Sequence, residues 1–237
     1  QRQMCIRDSA CLYSKSDLVI AGSGSLTVNA NYNNGITGKD TLFIQKASVT
    51  VTAVNHGING KDSLTIKDAD ITVTSGGDAL RSTNDSDTTL GYLVITGSAL
   101  KLTAGEDGIQ AETTLTISGG TIDCNTYDDA INSSSHMYIK GGTITVYSSG
   151  NDGLDSNGNL YFSGGTTVAY GTRSPECGID ANEEEGYTVF FTGGNVLGIG
   201  GGNNSHPTTQ ESTQGYVTYS GNVTAGCTLT VSKDGTV

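Results

Sequence analysis

Tryptophan is absent from this 237-residue chain, and there are only 2 prolines, 2 methionines and 4 phenylalanines. A core built on large aromatic side chains is therefore excluded, and the interior must come from aliphatic and β-branched residues. Cations are scarce as well: 12 Lys and Arg face 24 Asp and Glu, for a formal net charge of −12. That balance makes nucleic acid and anionic membrane poor partners and favours cations, or ligands bridged by cations. No apolar run approaches the roughly 18 residues of a membrane-spanning helix. The 5 cysteines include no Cys-x-x-Cys pair, so neither a disulfide framework nor a zinc site is indicated. Cys124 falls at an inward strand position, where a thiol acts as a small hydrophobe, while a pairing of Cys177 with Cys227 stays open. His56, His136 and His206 lie on separate segments and read as surface histidines.

Glycine, by contrast, is plentiful at 34 residues, about twice its ordinary share. Together with many β-branched residues, this asks for many tight turns. The stretch 108–131, GIQAETTLTISGGTIDCNTYDDAI, is written again before and after itself. Gly/Ala-Ile/Leu pairs open at 35, 57, 79, 108, 130, 153 and 178, in steps of 22, 22, 29, 22, 23 and 25. Each unit contains three short alternating apolar pieces divided by Gly, Asn, Asp and Ser, with no helical period. Such a unit cannot bury its apolar face alone, whereas stacked units can. The pattern predicts an all-β, right-handed parallel β-helix with three-strand coils of about 22 residues, the hand following from the preference of parallel crossovers. Propeller blades need roughly 40 residues per repeat, and a sandwich would not return in register so often. Three inward columns are expected: Ile36, Ile58, Leu80, Ile109, Ile131, Leu154 and Ile179; Leu42, Leu64, Leu93, Leu115, Met137, Leu160 and Val189; Val49, Ile71, Leu100, Ile122 and Ile144.

Residues 1–9, QRQMCIRDS, resemble the in-frame translation of a sequencing-adapter end and are set apart as a non-native scar. Residues 10–237 are expected to form a single domain, truncated at both ends. A first coil is predicted over 17–30, followed by regular rungs. The rung at 79–107 carries an acidic insertion around Asp85 and Asp87, and Glu183 to Glu185 form an acidic bulge. A polar loop is expected from Gly200 to Gln214, and strand alternation again from Tyr216 to Val231.

The position before each Gly-Ile pair reads Asn34, His56, Asp78, Asp107, Asp129, Asp152 and Cys177. Rungs stack about 4.8 Å apart, so the four aspartates should form a carboxylate ladder. Neighbouring charges at that spacing repel by about 1 kcal/mol in water, and by more when partly desolvated; a bound cation reverses the sign. Oxygen donors without clustered His or Cys favour calcium over a transition metal. Asp-Gly is also ordinary turn chemistry, so a solvated acidic edge is the competing reading. Asp129, Asp152, Asp155 and Asp180 form the best-supplied candidate metal site, with Asp78, Asp107 and Asp128 on the same ladder and Asp85 and Asp87 a weaker second. Tyr138, Tyr161 and Phe190 should form an outward ring column, and Tyr127, Tyr147 and Tyr170 fall nearby in phase. Such rings serve either sugar binding or sheet stability. The position after each pair reads Thr37, Asn59, Arg81, Gln110, Asn132, Asp155 and Asp180, and is expected to point outward. Arg81 is its one cation, expected to pair with Asp107 or the 85/87 loop.

The wording DGIxAxxxLTIxGGTI, the STNDSD insertion, and the segments GGTTVAYG and TGGNVLGIGGG together resemble a family of secreted clostridial carbohydrate-binding proteins. The resemblance covers about residues 17–237 and implies a β-helix related in shape to calcium-dependent polysaccharide lyases. It also implies calcium as cofactor and binding of acidic plant polysaccharide (polygalacturonate or pectin) or cellulose, without established catalysis. It further implies an extracellular or cell-surface location and a monomer. Tyr138, Tyr161, Phe190 and Arg81 are the candidate carbohydrate contacts. A calcium-dependent lyase and a structural surface adhesin are the alternatives; a lyase needs a basic side chain beside the metal.

Overall fold

The computed structural model describes residues 10–208, 210–222, 226, 228 and 230, and among these it is an all-β parallel solenoid without an α-helix. One sheet stacks eight three-residue strands in chain order, from Leu12–Ser14 through Ile131–Ser133 to Ile179–Ala181. The other sheet bends into two limbs. In the early rungs the limbs are separate strands, for example Thr41–Gln45 and Ser48–Ala53. From Leu115–Thr126 onward one strand runs through both, as in Met137–Ser148, Leu160–Tyr170 and Val189–Ile199. Three strands per coil is therefore the early arrangement only; later the Gly-Gly turns act as bends within a strand.

The bend requires glycine. Gly120 has φ 97°, and a Cβ there would lie 2.0 Å from the Ser98 carbonyl oxygen of the preceding rung. Gly165, with φ 84°, meets the Gly142 carbonyl oxygen at 2.5 Å in the same way. Only a residue without a Cβ lets adjacent corners stack so closely.

All three expected columns face inward and are buried. Registers such as Ile109↔Ile131↔Leu154 and Leu115↔Met137↔Leu160 place like upon like along the axis. The chain joins the stack earlier than Asp17, because Leu12 pairs with Ile36. The other end also differs from expectation. The described residues of the segment 216–231 form no strand, and Tyr216, Val217 and Tyr219 are exposed. At the last long strand, Thr213 and Gln214 both donate backbone N–H groups to the Phe191 carbonyl without continuing into a ladder. Residues 1–9, Cys227 and part of the 216–231 segment lie outside the described residues. Glu183–Glu185 form one 3-10 turn closed by Gly186. Cys11, Cys124 and Cys177 are free thiols, the last two buried.

Candidate functional site

The carboxylate ladder exists, and its first duty is to the backbone. Each side chain in the row accepts a hydrogen bond from the backbone N–H of the same position one rung on. The His56 N–H donates to Asn34 Oδ1 (3.2 Å), the Asp78 N–H to His56 Nδ1 (3.0 Å), and the Asp107 N–H to Asp78 Oδ1 (3.2 Å). The Asp129 N–H continues to the Asp107 carboxylate, the Asp152 N–H to Asp129 Oδ1 (2.9 Å), and the Cys177 N–H to Asp152 Oδ1. This position precedes a three-residue strand, where the N–H is not satisfied by the sheet, and a short side-chain acceptor from the rung before satisfies it. His56 belongs to this row, and His136 heads a second: its Nδ1 accepts the Asn159 N–H (2.9 Å), and Asn159 Oδ1 accepts the Thr188 N–H (2.9 Å). Both rings are half-buried, which corrects their reading as surface histidines. The residue types at the row, all short acceptors until Cys177, carried this signal.

One oxygen per carboxylate is thereby used; of the others, Asp78 Oδ2 accepts from Arg81 Nη1 and Asp129 Oδ2 from Asn132 Nδ2. Burial, then the charges of Asp129, Asp78 and Asp128, push the Asp107 carboxyl up to about 8. Burial does the same to Asp155, to about 8, with Asp129 and Asp180 adding to it. Asp152 rises to about 7 and Asp129 to about 6, again through burial first. Asp180 is raised by burial, against the hydrogen bond it accepts from Ser205 Oγ (3.0 Å).

Among the described residues, Asp107, Asp128 and Asp129 converge so that their ligand oxygens all lie within 4.8 Å of one another, and His56, Asp78 and Glu106 converge in the same way with an imidazole among the donors. Asp155 is joined to Asp129 through Asn132, whose Nδ2 donates to Asp129 Oδ2 (3.2 Å) and Asp155 Oδ2 (2.9 Å). Asp152 and Asp180 instead line an open depression with Glu176, Glu183 and Glu184. Asp85 and Asp87 are exposed, on a loop folded by its own turn bonds: Asn84 Oδ1 accepts from the Ser86 and Asp87 N–H groups, and Asp87 Oδ1 from the Thr89 N–H.

Asp78 differs from the other ladder aspartates. Burial would raise its pKa, but His56 and Arg81 outweigh it and hold the carboxyl below its ordinary value. Arg81 was expected to pair with Asp107 or the 85/87 loop; instead its Nη1 reaches Asp78 Oδ2 (3.0 Å) and His56 Nε2 (2.9 Å). Asp78 lies three residues back on the same rung, and His56 on the rung before it. The column containing Arg81 is also less outward than expected, since Thr37 and Asn59 are buried and the others half-buried.

Tyr138, Tyr161 and Phe190 form the expected column, with ring centroids 4.8 and 4.7 Å apart and planes within 6° and 9°. At that separation the rings cover one another's faces, and Phe190 is only 8% exposed. His136 meets Tyr138 and Tyr161 edge-on, and the Lys140 Nζ sits 5.6 Å from the Tyr138 ring centroid. Tyr147 and Tyr170 are arranged otherwise, 6.4 Å apart and tilted by 53°.

Among known proteins, a family model described as "Carbohydrate-binding domain-containing protein" matches residues 4–174. A carbohydrate-binding domain-containing protein of Acetivibrio thermocellus is 49% identical over 47 residues, which is 20% of this chain and 16% of that relative. The matched stretch thus spans well under a fifth of the relative's length. No solved structure matches.

Proposed function

The chain belongs to the carbohydrate-binding domain-containing protein family, and from that premise we propose that it binds acidic plant polysaccharide with the help of calcium, without cleaving it. The observation that carries the calcium reading is the convergence of Asp107, Asp128 and Asp129 within 4.8 Å, a donor set of hard oxygens with no thiol or imidazole. Such a group sets the exposed Asp128 against the half-buried Asp107 and the buried Asp129, crowding negative charge that a divalent cation offsets. Asp107, Asp128 and Asp129 would hold the ion, which supplies the positive charge that a uronate carboxylate needs beside an acidic protein. The chain's own contribution is to fix those oxygens: Asp129 through the Asp152 N–H and Asn132, and Asp128 through Asn151 Nδ2 (2.8 Å).

Binding without cleavage is supported by Arg81. Proton abstraction beside a uronate carboxylate needs a free base near the metal. Arg81 is tied to Asp78 and His56, one rung away from the acidic cluster. Retention on immobilised polygalacturonate, compared in calcium and in chelator, tests the reading. Calcium-dependent retention is expected, reduced in Asp107→Asn and Asp128→Asn variants. Equal retention in chelator removes calcium from the account, and no retention on any glycan removes the carbohydrate itself.

A further inference from the structure

We infer that the depression beside Asp152, walled by residues 172–177 and 200–205, binds an organic cation carrying two or more primary ammonium groups, and that it does so without calcium. The site is separate from the cluster of Asp107, Asp128 and Asp129. Its volume is about 490 Å³, within the range of small-ligand sites. Five carboxylates border it: Asp152, Glu176, Asp180, Glu183 and Glu184. The walls are tied to each other and to the rung beneath. The Gly201 N–H donates to the Thr172 carbonyl (2.7 Å), the Gly202 N–H to the Glu176 carbonyl (2.7 Å) and the Ser205 N–H to the Ile179 carbonyl (2.9 Å). Hydrogen bonds of the chain itself therefore hold the space in place.

Three observations point to this ligand. The first is Asp152. It lines the depression although only 6% exposed; its Oδ1 accepts the Cys177 N–H, and its Oδ2 has no hydrogen-bond partner among the described residues. A buried carboxylate oxygen is costly unless a donor reaches it, and the ladder accounts for the first oxygen only. The second is the lack of a protein cation. Among the described residues no Lys, Arg or His lines the space. Arg173, just before its rim, is exposed and forms no ion pair among the described residues. His206 gives Glu183 Oε1 only its backbone N–H (3.3 Å), with its ring stacked on Tyr216. Burial, then the charges of Asp129, Asp180 and Glu176, raise Asp152, while burial, then Glu184 and Glu183, raise Asp180. The carboxylates thus act on one another with nothing positive between them. The third is spacing. Among the described residues no three of these carboxylates bring oxygens within 4.8 Å of one another, as Asp107, Asp128 and Asp129 do. Calcium gathers its oxygens at about 2.3–2.6 Å, so this wider set does not enclose an ion. Ammonium groups set apart along one molecule bring three donors each and meet different carboxylates separately, in charge-assisted hydrogen bonds.

Isothermal titration calorimetry in chelator at low salt, with spermidine in one arm and the β-linked glucosamine dimer in the other, tests the assignment. The probes share the ammonium groups and separate their source, an aliphatic polyamine or an amino sugar. Saturable binding of one or both is expected, and the tighter arm names the source. Affinity should fall about tenfold in Asp152→Asn, which keeps an acceptor for the Cys177 N–H, and about fivefold in the pair Glu183→Gln with Glu184→Gln. Glu185→Gln, on the same turn but outside the depression, should bind as the unaltered chain does. Circular dichroism verifies folding; should Asp152→Asn not fold, the exposed glutamate pair carries the test. No binding in either arm overturns the assignment. Equal affinity in all variants also overturns it, reducing the effect to attraction between any polycation and a chain of net charge −12. Calcium binding that is measured without amines, lost in the glutamate pair and kept in Asp107→Asn makes the depression a metal site and overturns it too.

Discussion

Replacing Asp129 by asparagine or by alanine separates the two duties of the acidic ladder. Asparagine keeps an oxygen to accept the Asp152 N–H, now bonded at 2.9 Å, and removes the charge. Alanine removes both. The Asp152 backbone is buried, so alanine leaves a buried donor unsatisfied at a cost of about 1–3 kcal/mol. Asparagine avoids that and relieves repulsion, because Asp129 is among the charges that raise Asp107 and Asp155. One like-charge contact at about 4 Å is worth roughly 1–4 kcal/mol between bulk water and a protein surface. In chelator at pH 8 the expected order of stability is therefore Asn at or above the unaltered chain, and Ala below it. Saturating calcium adds about 2.7 kcal/mol at one hundred times its dissociation constant, and both variants should lose that gain. Thr145→Ala, on an exposed outward position, should keep it. Urea titrations with and without calcium measure all four proteins. If asparagine and alanine destabilise equally in chelator, the ladder hydrogen bond is not what the side chain contributes. A calcium gain that survives in both variants removes Asp129 from the metal site.

Three other expectations follow from the same geometry. Ile131→Ala removes three carbons from a fully buried column, a transfer loss of about 2.4 kcal/mol. The register with Ile109 and Leu154 limits collapse, so about 3–5 kcal/mol is expected in denaturant titration, and below about 1 would contradict the core assignment. In chelator, stability should fall as pH rises from about 4 to 8. Asp107, Asp129, Asp152 and Asp155 are raised to about 8, 6, 7 and 8, so the folded chain holds more protons than the unfolded one, at about 1.4 kcal/mol per pH unit for each excess proton; calcium should flatten the slope, and a rising curve refutes the assignment. Incubation with polygalacturonate and calcium at pH 7 to 9 should give no ultraviolet absorbance from unsaturated uronate, and product that vanishes in Arg81→Ala would make Arg81 a base.

The solenoid was legible because its cause is periodic. Ile36, Ile58, Leu80, Ile109, Ile131, Leu154 and Ile179 recur at a nearly constant step, and only stacked rungs bury such a row. Departures arise where contacts are not periodic. Nothing in the Ser-Gly-Gly wording tells a turn between strands from a bend within one; that depends on how closely the Ser98 carbonyl approaches Gly120. Arg81 meets Asp78 on its own rung and His56 on the rung before, and sequence spacing does not rank contacts toward the preceding rung against Asp107 one rung on. Tyr216 to Val231 alternates like a strand yet forms none in its described part; alternation alone supplies no neighbouring strand to pair with.

The row before each Gly-Ile pair shows why the site was harder to read than the fold. A run of Asp invites a metal reading, but Asn34 and His56 occupy the same position, and what they share with aspartate is a short acceptor rather than a charge. The backbone explains why an acceptor stands at each of these positions; it does not explain why four of them in succession are acids. A row of asparagines would satisfy the same N–H groups without the cost of burying charge, and of setting like charges together, that raises Asp107 and Asp152. The excess charge, concentrated where Asp128 adds a third oxygen donor to Asp107 and Asp129, is the part of the pattern that folding leaves unexplained. It is there, and not along the whole ladder, that the proposed calcium ion would act.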